Sequence, residues 1–187
     1  GWVTFYGPMV AQEFARGPKA YDKVSLRASL EGSVNWVAFE GGSVLRRGVA
    51  EGVLLGGCLS LIVATLGTPD EPDMRGKLLL VEDINSKPYQ VDRMLLQLVR
   101  AGKLDQVRGI IFGQMPGCVQ STDASFNQGY ELTDVIADVL ADFGGPIVYG
   151  VPFGHADTGT LTLPLGVEAR LEASRTAKLT VLDSATV

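Results

Sequence analysis

Hydrophobic residues form short continuous runs at three places in this chain, and each run predicts a buried β-strand. The runs lie within 77–83, 109–113 and 147–150 and are rich in Leu, Ile and Val. A strand that is covered on both faces reads as continuous apolar sequence rather than as alternating positions. Glu82 and Asp83 stand where the first of these strands ends.

Helical spacing of apolar residues predicts two amphipathic helices between these strands. Apolar positions at 91, 94, 95, 98 and 99 mark the first helix, which is expected to end at Ala101-Gly102. Thr133 is predicted to cap the second helix, and Gly144-Gly145-Pro146 to stop it. The continuous apolar stretch from Cys58 to Leu66 predicts a further helix that is buried.

The remaining segments are irregular or rich in strand-forming residues. Val3 to Tyr6 predicts a short strand, and Glu51 to Gly57 predicts a strand that runs into a glycine turn. Arg27 to Arg47 has no sustained period, which favours short strands and turns. The alternating tail from Leu161 to Leu182 is typical of antiparallel hairpins. Strands that alternate with helices and end in a β-rich tail predict a layered α/β domain.

Composition and charge exclude several classes of protein. The chain has 187 residues and is 46% apolar, which argues against a disordered tail. The net charge of −5 argues against a nonspecific nucleic-acid surface and against an anionic-membrane surface. One His and two Cys are too few for a Cys/His zinc site without carboxylates. No apolar run approaches the roughly 20 residues of a membrane span. Cys58 and Cys118 are too few for a disulfide framework, so a reducing cytoplasm is expected.

The candidate chemistry centres on the single histidine and on the carboxylates at a strand end. His155 follows a predicted buried strand, and sites in α/β sheets collect at the carboxyl ends of strands. A surface His and a solvated strand terminus are the alternative interpretations. Glu82 and Asp83 are neighbours on a strand and point to opposite faces, so they do not form a glycosidase-type pair. One carboxylate with the imidazole suits activation of a hydroxyl nucleophile.

A nucleophile is harder to find in this sequence. The chain has no Gly-x-Ser-x-Gly turn, and Ser60 lies inside the helix that is predicted to be buried. Ser86 is interpreted as an ordinary turn residue. Cys118 is a candidate thiol nucleophile, although a plain loop residue is the simpler interpretation. The Leu55-Gly56-Gly57 segment lacks the Lys-Ser/Thr of a phosphate-binding loop.

Four stretches, in order, resemble the LD-carboxypeptidase family, the muramoyltetrapeptide carboxypeptidases of bacterial cell-wall recycling. Together they span almost the whole chain. They are Phe5-Tyr6-Gly7-Pro8-Met9; Gly56-Gly57-x-Leu59-Ser60-Leu61 with Gly67-Thr68-Pro69; Val81-Glu82-Asp83-Ile84-Asn85 with Lys87-Pro88-Tyr89, Asp92-Arg93-Met94-Leu95 and Gln97-Leu98; and Gly154-His155 with Leu163-Pro164-Leu165-Gly166.

The resemblance implies a serine peptidase with a Ser-Glu-His triad. Glu82 would be the orienting carboxylate and His155 the general acid/base. The substrate would be a murein tetrapeptide, from which the enzyme releases the terminal D-Ala. Family members are cytoplasmic, need no metal or other cofactor and commonly form homodimers, and neither a nucleic-acid nor a membrane partner is expected.

The resemblance also implies two domains, an N-terminal flavodoxin-like half with the Ser nucleophile and a C-terminal swivelling-type β/β/α half with Glu and His. Residues 1–17 would form the end of the nucleophile domain and the start of a linker, and residues 18–187 the C-terminal domain. The family's Gly-x-Ser-Asp turn should precede the strand at Val3, so a separate N-terminal segment is expected to carry the Ser. Cys58 stands where the family usually has Asn.

Two further hypotheses remain open at this point. A peptidase of the same fold could cleave another amide, as do the immunity-type enzymes that inactivate peptide-nucleotide antibiotics. A binding or regulatory module could instead have kept the fold without catalysis. The two peptidases would differ in the substrate they hydrolyse, and the silent module would release no D-Ala even with an N-terminal half present.

Overall fold

An eight-stranded mixed sheet and a separate two-stranded sheet organise residues 2–120, 130–156 and 159–186, the part of the chain that this computed structural model describes. The strands, in chain order, are β1 (Thr4–Tyr6), β2 (Trp36–Gly41), β3 (Ser43–Arg46), β4 (Gly48–Cys58), β5 (Lys77–Glu82), β6 (Gly109–Gly113), β7 (Ile147–Val151), β8 (Leu163–Leu165), β9 (Glu168–Ala173) and β10 (Ala177–Val181).

Four α-helices accompany the strands in the described ranges. They are α1 (Lys23–Leu30), α2 (Leu59–Ala64), α3 (Pro88–Arg100) and α4 (Leu132–Val139), and a π-helical turn lies at Val10–Phe14. None of the helices in these ranges has the length and apolar character needed to span a bilayer.

The large sheet has the strand order β2-β10-β9-β4-β5-β6-β7-β3. Strands β4 to β7 run parallel to one another, and the other pairings in this sheet are antiparallel. Gly41 in β2 pairs with Ala177 in β10, whereas Ser43 in β3 pairs with Tyr149 in β7. Residues 41 and 43 can be at most about 7.6 Å apart, because consecutive Cα atoms are separated by 3.8 Å. The sheet therefore curls until its two edges meet at Gly42.

Two apolar cores lie on the two faces of the curled sheet. The inner core is built from strand and loop residues, and the outer core is covered by α2, α3 and α4. Leu78 and Leu80 of β5 belong to the inner core, while Leu79 and Val81 belong to the outer core. This alternation is the reason that β5 is apolar at consecutive positions, and the predicted burial of the strand on both faces is confirmed.

The three apolar runs and the first amphipathic helix appear as predicted, as β5, β6, β7 and α3. The second helix is confirmed in place but not at its start: Glu131, not Thr133, is the N-cap of α4. The Asp134 carboxylate accepts a hydrogen bond from the Glu131 N–H, which closes a reciprocal cap. The helix also ends at Val139, before the glycines that were expected to stop it.

Two predictions around the long strand β4 are wrong. Gly56 and Gly57 lie inside β4 rather than in a turn. The helix after it, α2, spans six residues, of which Leu59 and Ile62 are buried. Leu61 is 67% exposed, so the expected fully buried helix is half exposed.

The region from Arg27 to Arg47 contains the expected short strands β2 and β3 but also the end of α1. The buried positions of α1 are Ser25 and Ser29 rather than apolar residues. The Ser25 hydroxyl accepts a hydrogen bond from the Thr162 N–H (3.0 Å), and the Ser29 hydroxyl donates to the Thr162 carbonyl (3.2 Å). Contacts distant in sequence therefore hold this helix in place.

Candidate active site

Glu82 is the last residue of β5 and lies within the sheet with its side chain 1% exposed. Both oxygens of its carboxylate accept hydrogen bonds. Oε2 lies 2.7 Å from Nδ1 of His155 and also accepts the His155 backbone N–H at 3.2 Å. Oε1 accepts the Tyr6 hydroxyl at 2.7 Å. A buried carboxylate needs such partners, since burial without them strongly disfavours the charge.

His155 reaches Glu82 because β5 and β7 run parallel with β6 between them. The carboxyl ends of both strands therefore lie on the same side of the sheet. The chain leaves β7 at Val151, buries Phe153 and turns at Gly154, where φ is +70°. The His155 side chain is 36% exposed, in contrast to its buried partner. With Nδ1 directed to the carboxylate, Nε2 is the ring nitrogen on the opposite side of the imidazole. This arrangement can hold one tautomer and exchange a proton at Nε2.

Tyr6 completes the group around Glu82, and sequence reasoning missed this contact. Burial, followed by the hydrogen bond to Glu82, raises the pKa of the Tyr6 hydroxyl well above its usual range. The phenol therefore stays protonated and donates to the carboxylate. Residue 6 belongs to β1, which pairs with β8, and its ring packs edge-on against Phe153 with centroids 6.1 Å apart. Nothing in the local sequence signals a contact across 76 residues.

Asp83 points away from this group, as the alternation of side chains on a strand predicts. Its carboxylate accepts the Ser60 N–H at 2.9 Å, the Ile84 N–H at 2.8 Å and the Ser86 hydroxyl at 3.0 Å. Ser60 lies in the first turn of α2, so Asp83 satisfies a free N–H group of that helix. The structure thus assigns the two adjacent carboxylates different tasks: Glu82 contacts the histidine, and Asp83 fixes local backbone.

The nucleophile candidates within the described residues do not meet the histidine. In the ranges that the structure covers, the hydrogen bonds of His155 go to Glu82. Ser60 is exposed, with its hydroxyl 3.2 Å from the Cys58 sulfur, and the Ser86 hydroxyl donates to Asp83. Cys118 is 1% exposed, and burial raises the pKa of its thiol to about 11, which is unsuited to a thiolate nucleophile.

The described residues also contain no group of three or more His, Cys, Asp or Glu side chains arranged to hold a metal ion. The site consists of a buried carboxylate, a half-exposed imidazole and a protonated phenol. Such a set can move protons and stabilise an imidazolium. These features are typical of hydrolases that use a carboxylate–histidine pair.

The sequence of this chain matches a known protein family. Residues 51–171 match the LD-carboxypeptidase C-terminal domain, and this range contains both Glu82 and His155. The chain belongs to the LD-carboxypeptidase family.

Two curated relatives carry carboxypeptidase names. A Streptomyces coelicolor protein named as a carboxypeptidase is 40% identical over 176 residues, which cover 92% of this chain and 53% of the relative. A Bacillus subtilis protein named as a murein peptide carboxypeptidase is 37% identical over 182 residues, which cover 95% of this chain and 56% of the relative. The chain thus spans about half the length of the curated relatives it matches.

Solved structures show the same fold. The muramoyltetrapeptide carboxypeptidase from Oxalobacter formigenes matches with a TM-score of 0.78 and 31% identity, over 97% of this chain and 62% of that structure. The microcin C7 self-immunity protein matches with a TM-score of 0.81 over 97% of this chain and 61% of that structure. Its identity of 22% supports the fold alone.

Proposed function

We propose that this chain carries the Glu and His of a Ser-Glu-His triad in an LD-carboxypeptidase that releases the terminal D-Ala from murein tetrapeptides. The observation that supports this most directly is the 2.7 Å contact between Nδ1 of half-exposed His155 and Oε2 of buried Glu82. The carboxypeptidase names of the relatives support the reaction class, and the murein name of one of them supports the substrate.

In the first step, His155 acts as general base. Nε2 accepts the proton of a serine hydroxyl while that oxygen attacks the carbonyl carbon of the residue that precedes D-Ala. The imidazolium that forms carries its positive charge next to Glu82, and the carboxylate stabilises it. The buried position of Glu82 strengthens this interaction, since little water lies between the two groups.

In the second step, His155 acts as general acid. Nε2 returns the proton to the amine of the leaving D-Ala as the peptide bond breaks, and the shortened peptide remains as an ester on the serine. Water then attacks the ester, with Nε2 again accepting a proton and returning it to the serine oxygen. Throughout, Glu82 holds the ring in the tautomer that keeps Nε2 free for this exchange.

The serine is proposed to come from a separate N-terminal segment, in line with the family resemblance and with the longer curated relatives. In this proposal residues 1–17 form the end of the nucleophile domain and the start of the linker, and residues 18–187 form the C-terminal domain. The cytoplasmic location and the homodimer of the complete enzyme stay predictions.

The test is release of D-Ala from a murein tetrapeptide by this chain, with and without an N-terminal segment that supplies a Gly-x-Ser-Asp turn. The chain alone should release almost none. With the segment, Glu82→Gln and His155→Ala should each lower kcat by about 10³–10⁴-fold, because the histidine loses its tautomer or the proton acceptor is removed. Glu31→Gln, a change at an exposed carboxylate, is the control. Full activity of His155→Ala would contradict the proposal.

A second candidate is hydrolysis of the amide of a peptide-nucleotide compound. Its support is the fold shared with the microcin C7 self-immunity protein, at a TM-score of 0.81. Assaying the same assembled protein on an aminoacyl-nucleotide amide and on the tetrapeptide distinguishes the two substrates. A catalytically silent binding module would hydrolyse neither.

A further inference from the structure

We propose that Tyr6 is a positioning residue for the Glu82–His155 pair: its hydroxyl fixes the Glu82 carboxylate in the orientation that presents Oε2 to the imidazole. This inference rests on the proposed function, in which Glu82 orients His155. It adds a third residue to the pair, from β1, which is the first strand of the described chain.

The two carboxylate oxygens of Glu82 accept hydrogen bonds from different residues. Oε1 is bound by the Tyr6 hydroxyl at 2.7 Å, and Oε2 is bound by two N–H groups of His155. A glutamate carboxylate can rotate about its last bond, and the terminal torsion has only weak intrinsic preferences. Because its two partners lie on different sides of the group, rotation would break both sets of bonds. Tyr6 thus restrains a torsion that the histidine contacts alone leave less restricted.

Tyr6 is itself held in place by its backbone and by its ring. Its residue pairs with Leu163 in the β1–β8 ladder, so the backbone is fixed at this position. Its ring packs edge-on against Phe153, which is fully buried and stands two residues before His155. The phenol therefore contacts both sides of the pair: the carboxylate directly, and the histidine loop through Phe153.

The Tyr6 hydroxyl also affects the charge on the Glu82 carboxylate. A hydroxyl that donates to Oε1 draws part of the negative charge of Glu82 towards itself, and so sets how strongly Oε2 attracts the Nδ1 proton of His155. Removing the hydroxyl changes the acceptor strength of Oε2 even if the fold is unchanged. A purely structural tyrosine would leave that proton unaffected.

The experiment compares Tyr6→Phe with Tyr149→Phe. Tyr149 is the matched control, because it is also part-buried and its hydroxyl also donates one hydrogen bond, to the Gln114 carbonyl at 3.2 Å. The readout is the nuclear magnetic resonance signal of the imidazole Nδ1 proton. His155 is the single histidine of the chain, so every imidazole N–H signal comes from this residue. Tyr6→Phe should shift or broaden it, and Tyr149→Phe should leave it in place.

This readout does not depend on peptidase activity, so it can fail while the proposed function stands. In the assembled enzyme, Tyr6→Phe should lower kcat about tenfold or more with KM nearly unchanged, because a hydrogen bond to a buried charge is lost without any loss of substrate contact. A folded Tyr6→Phe variant with an unchanged Nδ1 proton would overturn the proposal. An unfolded variant would also overturn it, since the hydroxyl would then serve the fold rather than the pair.

Discussion

Gly154 lies directly against the carboxylate of Glu82. A Cβ at position 154 would stand 2.4 Å from Cγ of Glu82 and 2.6 Å from its Oε2, closer than any side chain allows. The φ angle of +70° at Gly154 is itself one that residues with a side chain rarely adopt. Because Gly154 has no side chain, its backbone can contact Glu82 directly. This contact allows both N–H groups of His155 to reach one carboxylate oxygen.

In the proposed enzyme, Gly154→Ala should abolish D-Ala release, because the added methyl group must displace either the loop or the carboxylate. Gly67→Ala is the control, since Gly67 has a similar φ of +77° and nothing within 4 Å of the added Cβ. Both variants pay the same conformational strain, on the order of 1 kcal/mol. In activity assays, Gly67→Ala should keep the D-Ala release that Gly154→Ala loses. Equal activities would show that the contact with Glu82 is unimportant.

Asp83→Ala should destabilise the chain rather than alter the histidine. The substitution removes the acceptor of two backbone N–H groups and of the Ser86 hydroxyl, whose hydrogen bonds to the buried Asp83 carboxylate are part-buried. The free energy of unfolding should fall by about 1.5–3 kcal/mol, the usual contribution of hydrogen bonds to a charged group. Urea denaturation measures this loss. Glu82→Gln is the comparison: it should reduce activity far more, relative to its effect on stability, than Asp83→Ala does.

Gly56→Ala should severely destabilise the sheet, because the added Cβ would stand 1.9 Å from the Leu80 carbonyl oxygen of the neighbouring strand. Gly57→Ala is a matched control one residue away. The two φ angles are +152° and +149°, yet the nearest atom to a Cβ at Gly57 is 3.8 Å distant, on Tyr6. Thermal denaturation should show a far lower Tm for Gly56→Ala. Similar Tm values would mean that backbone strain, rather than the clash, dominates.

Cys118 should react with alkylating reagents much more slowly than Cys58. Cys118 is buried, and burial raises the pKa of its thiol from 9.0 to about 11, so the reactive thiolate is scarce in the folded chain. Cys58 is half-exposed. Mass spectrometry after timed alkylation at pH 8 measures both rates. Rapid labelling of Cys118 in the folded chain would contradict the burial.

The raised pKa of the Cys118 thiol also has a consequence for the stability of the fold. The unfolded chain loses the Cys118 proton near pH 9, whereas the folded chain keeps it until about pH 11. The folded state therefore binds more protons in this window, and stability should decline as the pH rises through it. Replacing Cys118 by Ala should flatten this part of the pH dependence measured by urea denaturation.

The sequence allowed the parallel strands and the carboxylate–histidine pair to be predicted, for a physical reason. Strands buried on both faces need apolar residues at every position, so β5, β6 and β7 can be predicted from the sequence alone. The carboxyl ends of parallel strands lie on the same side of the sheet, which places Glu82 and the loop that carries His155 close to each other. The choice of Glu82 over Asp83 came from the family resemblance.

The features that could not be predicted from the sequence depend on contacts between distant segments. Helix α1 buries Ser25 and Ser29 through hydrogen bonds to Thr162, so it has no apolar stripe to detect. Position 56 requires glycine because the Leu80 carbonyl of the next strand leaves no room for a Cβ. From the local sequence alone, the same glycine predicts a turn. Tyr6 reaches Glu82 only through the pairing of β1 with β8.

The meeting of both sheet edges at Gly42 also bears on how the sheet could pair with a strand of another molecule. An exposed edge strand presents free N–H and C=O groups that can pair with a strand of another molecule, and such pairing starts aggregation. Here β2 and β3 are the two edges, and a single residue joins them. Because the edges converge instead of lying on opposite sides of the molecule, an incoming strand finds no long, isolated edge near Gly42. The bend at Gly42, where the chain passes from β2 directly into β3, thus also limits open-ended growth of the sheet from one molecule to the next.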